Sequence, residues 1–425
     1  MTLPRVVISG LGGCTPLGHT LDEVAAALRA GQSPFVASAH WPEHAVAPVE
    51  PQGDMARAVR PDPALRLLGG WRHRHYCHRG AQLAVLAGLR AARDAACGAS
   101  AQADDGSATD WAALLPEDTT LLLAHGPMLD VSGEPGLPPG DVNCLGALWL
   151  LRWLPNTAAA ALCRFLGVHG ESLCLNAACA SALHALGEGY RRIRAGLTSR
   201  VLVAAGDSRL SAAGLLGYMR AQTLSRRGPT CGPRPFDAAR DGFVAAEGGA
   251  AFVLEPLTVA EARGARIHAE ILGFGVSSDG GSLTAPDARG THAERAVRAA
   301  LAEAAAVMPH GPHWISAHGT GTALNDAAEV ALLERVFADR GLSPAVMACK
   351  SRQGHASAAA GAVELFTVLA GWRAGFMPHI AGLDQPCSAR LAFVREDAPF
   401  AGPLGLLENF GFGGQNAALA VRLWT

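Results

Sequence analysis

The sequence predicts an α/β protein. Short apolar runs alternate with stretches in which apolar residues recur every three or four positions, as in strands followed by amphipathic helices. In the stretch 181–195, for example, Leu183, Leu186 and Tyr190 lie on one apolar stripe. Hydrophobic residues make up 49% of the 425 residues and charged residues 17%, which suits a folded chain with a large core and not a disordered one.

The individual elements follow from the same patterns. Apolar runs predict strands at 5–9, 119–124, 172–176, 200–204, 250–255, 267–273, 313–317, 345–348, 391–395 and 417–423. Periodic stretches predict helices at 181–195, 292–305, 325–338 and 358–374. Segments rich in Gly, Ser, Asp and Pro, at 98–107 and 132–141, are typical of surface loops.

Two further segments need an explicit interpretation. The glycines of G-L-G-G at 10–13 fail the dinucleotide-binding pattern, because Thr15 stands where its third glycine is required, so a tight turn is predicted there. The apolar stretch 144–163 contains Arg152 and Pro155, which favours a buried helical segment over a membrane span.

Charge and cysteine content narrow the class of protein. The 35 basic and 37 acidic residues leave a formal net charge of −2, so neither nucleic acid nor an anionic membrane is expected as the main partner. The ten cysteines are scattered without a C-x-x-C pair, and the first ten residues lack the apolar core of a signal peptide. We therefore expect free thiols and a cytoplasmic location.

Cys179 is the first candidate catalytic residue. It lies between the apolar run S-L-C-L-N and the amphipathic stretch that begins at Ser181, so its sulfur is expected at the N-terminus of a helix. The helix dipole favours an anion there by about 1 kcal/mol, which predicts a thiol pKa somewhat below its usual value of about 8.5. Such a thiol is suited to nucleophilic attack, and the alternative is a buried structural cysteine.

Lys350 and His355 form the second candidate group, in A-C-K-S-R-Q-G-H at 348–355. Lys350 is the one lysine in the chain, where 34 other basic positions (35 − 1) are arginine. This favours a crowded buried site that a compact ammonium group fits and the guanidinium fork of arginine does not, and the alternative is that one lysine remained by chance. The H-A-S-A that starts at His355 repeats the C-A-S-A that starts at Cys179, which hints at an internal duplication with a reactive side chain at the head of each copy.

Two glycine-rich segments complete the candidates. His318 follows an apolar run in W-I-S-A-H-G-T-G-T-A-L-N-D at 314–326, where the glycines let the backbone pass close to a ligand and orient the imidazole toward open space. The segment E-N-F-G-F-G-G-Q-N at 408–416 is interpreted as a flexible apolar loop that gates a hydrophobic channel, or alternatively as a glycine-rich turn.

Together these motifs resemble the β-ketoacyl-acyl-carrier-protein synthases, the condensing enzymes of fatty acid and polyketide assembly. The stretches V-V-I-S-G-L-G-G-C-T-P-L-G at 6–18, A-C-A-S-A at 178–182 and R-P-F-D-A-A-R-D-G-F-V-A-A-E-G at 234–248 agree as well, in the family's order along nearly the whole chain. The resemblance implies a thiolase-like α/β fold, in which duplicated βαβαβαββ halves form five α-β-α-β-α layers. The expected halves are 1–256, with the nucleophilic cysteine, and 257–425, with both catalytic histidines.

The resemblance also implies roles for the candidate residues. Cys179 accepts the acyl chain as a thioester, and His318 and His355 stabilise the enolate formed by decarboxylation of a malonyl thioester. Lys350 orders the pocket near a glutamate, and the backbone N–H groups of Cys179 and Phe412 form an oxyanion hole. The implied substrate-binding residues are Phe412, which is also the gate, Phe410, Thr320 and Thr322. The implied supporting residues are Asn416 and the two candidate partners of the lysine, Glu364 and Glu329.

The same resemblance implies the partners of the chain. No metal or other cofactor is required, because the pantetheine arm arrives with the substrate on an acyl carrier protein. A homodimer, or a heterodimer with another ketosynthase, is expected. Arg72, Arg74 and Arg79 are candidates for a basic surface that meets the acidic carrier. His75 and His78, which lie among them, are not expected to bind a metal, because the arginines oppose a cation.

Departures from the family pattern leave the pathway and two alternatives open. Ala178 and Gln415 stand where threonine is frequent in the family, and 126–143 matches the housekeeping enzymes poorly. These differences favour a specialised system, such as polyketide or aryl-polyene assembly, over primary fatty acid synthesis. One alternative is a chain-length-factor-like partner subunit, which usually lacks the cysteine. The other is a coenzyme-A-dependent thiolase, which uses a second cysteine that the G-F-G-G segment does not contain.

Overall fold

The computed structural model describes residues 3–50, 62–97, 110–127 and 147–424. The predicted loops at 98–107 and 132–141 lie outside these residues. The strands are β1 (Val6–Cys14), β2 (Val36–Ala37), β3 (Ala45–Ala47), β4 (Thr120–Ala124), β5 (Ser172–Leu175), β6 (Val201–Asp207), β7 (Ala245–Ala246), β8 (Gly248–Pro256), β9 (Ala269–Ser278), β10 (Trp314–Ser316), β11 (Ala345–Met347), β12 (Ala392–Phe393), β13 (Leu404–Gly411) and β14 (Gln415–Leu423). The helices are α1 (Leu21–Arg29), α2 (Pro63–Gly70), α3 (Arg79–Ala96), α4 (Thr157–Leu166), α5 (Ser181–Arg194), α6 (Ala212–Arg220), α7 (Leu257–Ala262), α8 (Thr291–Ala304), α9 (Ala323–Val336), α10 (Lys350–Gln353) and α11 (Ala360–Arg373).

An 11-stranded mixed sheet runs through the molecule in the order β12-β11-β10-β13-β14-β9-β1-β8-β6-β4-β5. Its two halves join where β1 pairs with β9. One half contains β1, β4, β5, β6 and β8, and the other contains β9, β10, β11, β13 and β14. In the first half, β8 pairs antiparallel with both β1 and β6. In the second half, β14 pairs antiparallel with both β9 and β13 in the same way. The strands β6 and β5 both lie parallel to β4, and β13 and β11 both lie parallel to β10. The halves therefore repeat one topology.

Helices are arranged in three layers around these half-sheets. Buried residues of α5 and α11 share one hydrophobic core with side chains from both halves of the sheet. Helices α3 and α4 cover the outer face of the first half, and α8 and α9 cover the outer face of the second. The order of layers is α-β-α-β-α, which confirms the predicted thiolase-like fold class. The division at residues 256 and 257 stays a prediction.

The predicted elements correspond closely to those observed. Each of the ten predicted strands overlaps a strand of the structure, and the four predicted helices correspond to α5, α8, α9 and α11. The C-A-S-A and H-A-S-A motifs lead into α5 and α11, the two central helices. Because these helices lie side by side, the reactive residues that precede them meet between the two halves of the sheet.

The predicted tight turn at 10–13 is wrong, because these glycines lie inside β1. A Cβ atom at Gly12 would lie 2.3 Å from the carbonyl oxygen of Ala87 in α3, and one at Gly13 would lie 2.4 Å from the ring of Phe366 in α11. Glycine is needed here because helices pack closely on both faces of the strand, and not because the chain reverses.

The predicted buried helical segment at 144–163 is confirmed for 157–163, which belong to α4, and is wrong for the described residues before it. A 3₁₀ turn at Trp149–Arg152 is followed by a break, and α4 begins only at Thr157. Pro155 lies in the break, where its ring and missing N–H interrupt a helix. Leu148, Trp149, Leu150 and Leu154 are exposed, so this segment places apolar side chains on the surface.

The segment 408–416 forms a hairpin and not a flexible loop. Its first residues belong to β13, its last belong to β14, and positive φ angles at Gly413 and Gly414 form the turn between them. Of the two interpretations of this segment, the glycine-rich turn is the one found. The strand over 404–411 was missed because its glycines and polar residues hide the apolar alternation.

Candidate active site

Cys179 lies in a sharp turn between β5 and α5. Ala178 has a φ of 49°, which places it in the left-handed region and turns the chain abruptly before the cysteine. The Ser181 hydroxyl stabilises this turn, because it accepts a hydrogen bond from the N–H of Ala177 at 2.8 Å and donates one to the carbonyl oxygen of Ala178 at 2.6 Å. The result is a sulfur held at the head of the helix, as the sequence predicted.

The Cys179 sulfur lies 3.1 Å from Nε2 of His355. Burial raises the pKa of the Cys179 thiol to about 11, although the positive charges of Lys350 and Arg209 act in the opposite direction. The predicted lowering of this pKa is wrong, since lost hydration outweighs a helix-dipole effect of about 1 kcal/mol. Cys179 is therefore a neutral thiol at neutral pH.

His355 is held by two backbone hydrogen bonds to the extended segment 244–246. Gly354 precedes the histidine with a φ of 77° and a ψ of −173°, a conformation that favours glycine. A residue with positive φ therefore precedes the reactive side chain in both X-A-S-A motifs. Burial, with the charge of Lys350, lowers the pKa of the His355 imidazole well below its usual value, so the ring is neutral.

His318 is oriented by groups that contact its Nδ1 atom. The Lys350 ammonium nitrogen lies 3.2 Å from Nδ1, and the amide nitrogen of Asn409 lies 3.3 Å from it. Because an ammonium group only donates hydrogen bonds, Nδ1 accepts and the ring proton resides on Nε2. Burial, followed by the charge of Lys350 and the proximity of His355, lowers the pKa of the His318 imidazole well below its usual value. His318 is thus a neutral imidazole that presents an Nε2–H group.

Lys350 is completely buried, and three acceptors surround its ammonium group. These are a carboxylate oxygen of Glu364, the carbonyl oxygen of His318 at 2.6 Å and Nδ1 of the same histidine. Of the two predicted partners, Glu364 is therefore the one that pairs with the lysine. Three acceptors around one nitrogen match an ammonium group and not a planar guanidinium, which accounts for a lysine in an arginine-rich chain.

Glu329 supports His318 from the other side. Its carboxylate accepts hydrogen bonds from the backbone N–H of His318 at 2.6 Å and of Gly319 at 2.9 Å. Burial, followed by the neighbouring carboxylate of Asp326, raises the pKa of Glu329 to about 7. Glu329 therefore anchors the backbone of the G-T-G-T segment and does not pair with the lysine.

One cavity of about 490 Å³ brings the three reactive side chains together. Cys179, His318 and His355 all lie on its wall, and the ring centroids of the two histidines are 5.5 Å apart with their planes at 86°. The other predicted residues on this wall are Phe410, Phe412, Thr320, Thr322 and Asn416. Residues from distant parts of the sequence therefore share one space large enough for a small organic substrate.

The turn after β13 brings a backbone donor to the cysteine. The N–H of Phe412 forms a hydrogen bond with the Cys179 sulfur. Glycine at position 411 makes this approach possible, since a Cβ atom there would lie 2.6 Å from the carbonyl oxygen of Ala177. The Phe412 side chain is 36% exposed, whereas the Phe410 ring packs against His318 with 5.7 Å between ring centroids.

Several residues of the site were missed by sequence reasoning. Asn409 lies inside the quoted 408–416 motif and would have been found if 404–411 had been recognised as a strand. Arg209, which is paired with Asp207 at 3.0 Å, lies on the cavity wall. Tyr218 also lies there, with its hydroxyl 2.6 Å from that of Ser357. No motif marks these last residues, because only the fold brings them to the cysteine.

The prediction that Arg79 contributes to a docking surface is wrong. Its guanidinium forms an ion pair with the buried carboxylate of Glu247 at 2.6 Å, a partner that sequence spacing does not reveal. His78 lies beneath the surface as well, with its Nε2 atom 2.9 Å from that of His125. Among the described residues, no group of three or more His, Cys, Asp or Glu side chains is placed to hold a metal ion.

No helix within the described ranges has both the length and the apolar character needed to cross a bilayer. The two halves share one topology and bring a cysteine and two histidines to a single cavity. This arrangement is typical of condensing enzymes of the thiolase-like class.

Comparisons with known proteins agree with this class. Residues 4–260 match the family model described as the N-terminal domain of β-ketoacyl synthase, and residues 268–384 match the C-terminal domain. The 3-oxoacyl-acyl-carrier-protein synthase 1 of Haemophilus influenzae is 30% identical over 98% of each chain. Synthase 2 of a Synechocystis strain is 28% identical, also over 98% of each chain.

Solved structures show the same likeness. A crystal structure of a β-ketoacyl synthase from Burkholderia phymatum is 29% identical, with a TM-score of 0.80 over 99% of this chain and 100% of that one. The ishigamide ketosynthase/chain length factor is 28% identical, with a TM-score of 0.83 over 100% of both chains.

The chain belongs to the β-ketoacyl synthase family. It is an enzyme, and its reaction is the ketosynthase condensation of fatty acid or polyketide synthesis, as the sequence predicted.

Proposed function

We propose that Cys179, His318 and His355 carry out a decarboxylative Claisen condensation between an acyl thioester and malonyl-acyl carrier protein. The observation that carries this assignment is the placement of two neutral imidazoles and one thiol around a single cavity, with Nε2 of His355 3.1 Å from the sulfur. Lys350 has a positioning role, because it fixes the tautomer of His318 and does not line the cavity.

In the first step, the Cys179 sulfur attacks the acyl thioester and a new thioester forms. The bond between the acyl carbon and the carrier sulfur breaks, and the thiol proton leaves with the carrier thiol. The tetrahedral oxyanion accepts hydrogen bonds from the backbone N–H groups of Cys179 and Phe412, which would offset the high pKa of the resting thiol.

In the second step, malonyl-acyl carrier protein loses its carboxylate as CO₂ and leaves an enolate. The Nε2–H groups of His318 and His355 donate hydrogen bonds to the enolate oxygen, and both rings stay neutral, as their lowered pKa values favour. The enolate carbon then attacks the Cys179 thioester. Collapse of the tetrahedral intermediate breaks the bond between the acyl carbon and the Cys179 sulfur and gives the β-ketoacyl carrier protein. The Cys179 thiolate then takes a proton from solvent and returns to the resting thiol.

The remaining groups have binding roles in this proposal. Phe410, Phe412, Thr320 and Thr322 line the path of the substrate, and Phe412 is the exposed gate. Asn416 supports that wall, since its amide donates to Asp279 at 2.7 Å. The phosphopantetheine arm of the carrier delivers each acyl unit, so no separate cofactor takes part.

We further propose that the chain acts in the cytoplasm as a dimer, either with a second copy of itself or with another ketosynthase chain. The strand β5 is one of the two edge strands of the described sheet, and its Leu173 side chain is 39% exposed. A free edge strand with apolar side chains is suited to pairing with another chain. The cysteines within the described residues are all free thiols, as a reducing compartment would leave them.

The purified chain, tested alone with a carrier protein that holds an acyl thioester and with malonyl-acyl carrier protein, provides the test. We expect a β-ketoacyl carrier protein in the intact mass spectrum, a cerulenin adduct on Cys179, and neither with Cys179→Ala. The whole-length likeness to a ketosynthase/chain length factor makes a partner subunit the second candidate. Activity that requires a second ketosynthase chain, with no adduct on Cys179, would favour that candidate and contradict the proposal.

A further inference from the structure

Glu408, next to Asn409 on β13, is a buried acidic residue that the reaction above does not use. Its side chain is 0% exposed, and neither carboxylate oxygen receives a hydrogen bond from any N–H or O–H group of the described residues. An ionised carboxylate without a donor is strongly disfavoured in a protein interior. Glu408 is therefore expected to hold a proton and to need an acceptor for it.

The strand places this carboxyl group behind His318. Successive residues of β13 point to opposite faces. Asn409 points to the central helices, where it contacts Glu364 at 2.9 Å, so Glu408 points to the outer side, where α9 carries Glu329. Burial, followed by the charge of Glu329 and a hydrogen bond that protonated Glu408 donates to it, raises the pKa of Glu408 well above its usual value.

Glu329 connects this carboxyl group to the site. It accepts the N–H groups of His318 and Gly319, and its own pKa is raised to about 7 by burial and then by Asp326, whereas Lys350 acts in the opposite direction. Asp326 also lies on α9, where it accepts the N–H of Phe236 at 2.7 Å. Lys350 is bonded to Glu364 and His318, so it provides no donor to Glu408.

We propose that Glu408 is a positioning residue whose carboxyl group shares a proton with Glu329 and so fixes the carboxylate that holds the backbone of His318 and Gly319. Two ionised carboxylates cannot stay in contact in a buried site, so loss of the shared proton separates them. The backbone of His318 then moves with Glu329, and the imidazole leaves the position in which it faces the enolate.

The inference rests on the proposed role of His318, and two variants test it. Glu408→Gln keeps the shape of the side chain and an N–H donor to Glu329, but has no proton to lose. Glu408→Leu removes the donor. We expect the condensation rate of the wild type to fall at alkaline pH. The Leu variant should lose roughly 10- to 100-fold at all pH values, as a misplaced reacting group does. The Gln variant should recover most of that loss and show no alkaline fall.

A readout that does not depend on activity separates this inference from the proposed function. The infrared spectrum of the folded protein should contain the C=O stretching band of a protonated buried carboxyl group, and Glu408→Gln should remove it. Glu255→Gln is the matched control, because Glu255 is equally buried but is paired with Arg200 and Arg263, which hold it ionised. The band should persist in that variant.

Two results would overturn the inference. The first is pH profiles of Glu408→Gln and wild type that superimpose, or a Leu variant as active as wild type. The second is an infrared band that survives in Glu408→Gln. A wild type with no condensation activity, but with the band present and lost in the Gln variant, would instead refute the proposed function and leave the shared proton established.

Discussion

Replacement of Lys350 by methionine provides a quantitative prediction. The two side chains have similar length and volume, so the substitution removes the charge and three hydrogen bonds without a large cavity. The partners that lose a donor are Glu364 and two atoms of His318. Removal of one partner of a buried ion pair costs roughly 3 to 5 kcal/mol, because the other charge remains buried and uncompensated.

The loss of stability in Lys350→Met should depend on pH, through Glu364. Burial raises the pKa of Glu364, and Lys350 now opposes that rise. Without the lysine the pKa rises further above its value in the unfolded chain. A carboxyl group whose pKa is higher in the folded chain than in the unfolded chain lowers the free energy of unfolding when it ionises. This loss of stability is absent below the unfolded-state pKa and increases as the pH rises through the folded-state pKa. The variant should therefore lose less near pH 4.5, where mainly the two hydrogen bonds to His318 are missing, and lose more at pH 8, where Glu364 must also ionise without a partner.

Urea unfolding at both pH values measures this effect, with Glu364→Gln and the double variant completing a thermodynamic cycle. We expect the double variant to be more stable at pH 8 than Lys350→Met, because it leaves no buried charge unpaired. Two results would refute the reasoning about this ion pair. One is an equal loss of stability in Lys350→Met at both pH values. The other is a loss in the double variant that equals the sum of the losses in the two single variants.

Three further predictions concern other parts of the molecule. The rate of alkylation of Cys179 should rise steadily with pH toward a midpoint of about 11, and a plateau below pH 8 would contradict a neutral resting thiol. Gly12→Ala should lower the free energy of unfolding by roughly 1 to 3 kcal/mol in a denaturant titration, because the added methyl group overlaps Ala87, and an unchanged midpoint would contradict that close approach. Leu173→Arg should shift the chain from dimer to monomer in sedimentation, whereas Leu197→Arg, on an equally apolar exposed residue, should not; a Leu173 variant that stays dimeric would remove β5 from the interface.

Local signals were sufficient to predict part of the site. The repeated X-A-S-A motif identified Cys179 and His355 as equivalent positions, and the structure places both just before the central helices, each after a residue with positive φ. The scarcity of lysine identified Lys350, and its three acceptors explain that scarcity. These features are encoded within a few residues of each side chain.

Other properties depend on packing between distant segments. The pKa of Cys179 follows from burial by both halves of the fold, which a local helix-dipole argument omits. Arg79 appears from its neighbours to belong to a basic surface, yet it pairs with Glu247 far along the chain. Glu408 was predicted to lie in a loop or turn. It is part of β13, and the pairing of this strand with β14 cannot be recognised from the local sequence.

The most direct test of the whole account separates decarboxylation from carbon–carbon bond formation. Release of CO₂ from malonyl-acyl carrier protein should persist in Cys179→Ala, which makes no β-ketoacyl product, and should be lost in His318→Ala and His355→Ala even though the cysteine still accepts an acyl group. Loss of CO₂ release in the cysteine variant, or undiminished release in both histidine variants, would contradict the proposed division of roles around the cavity.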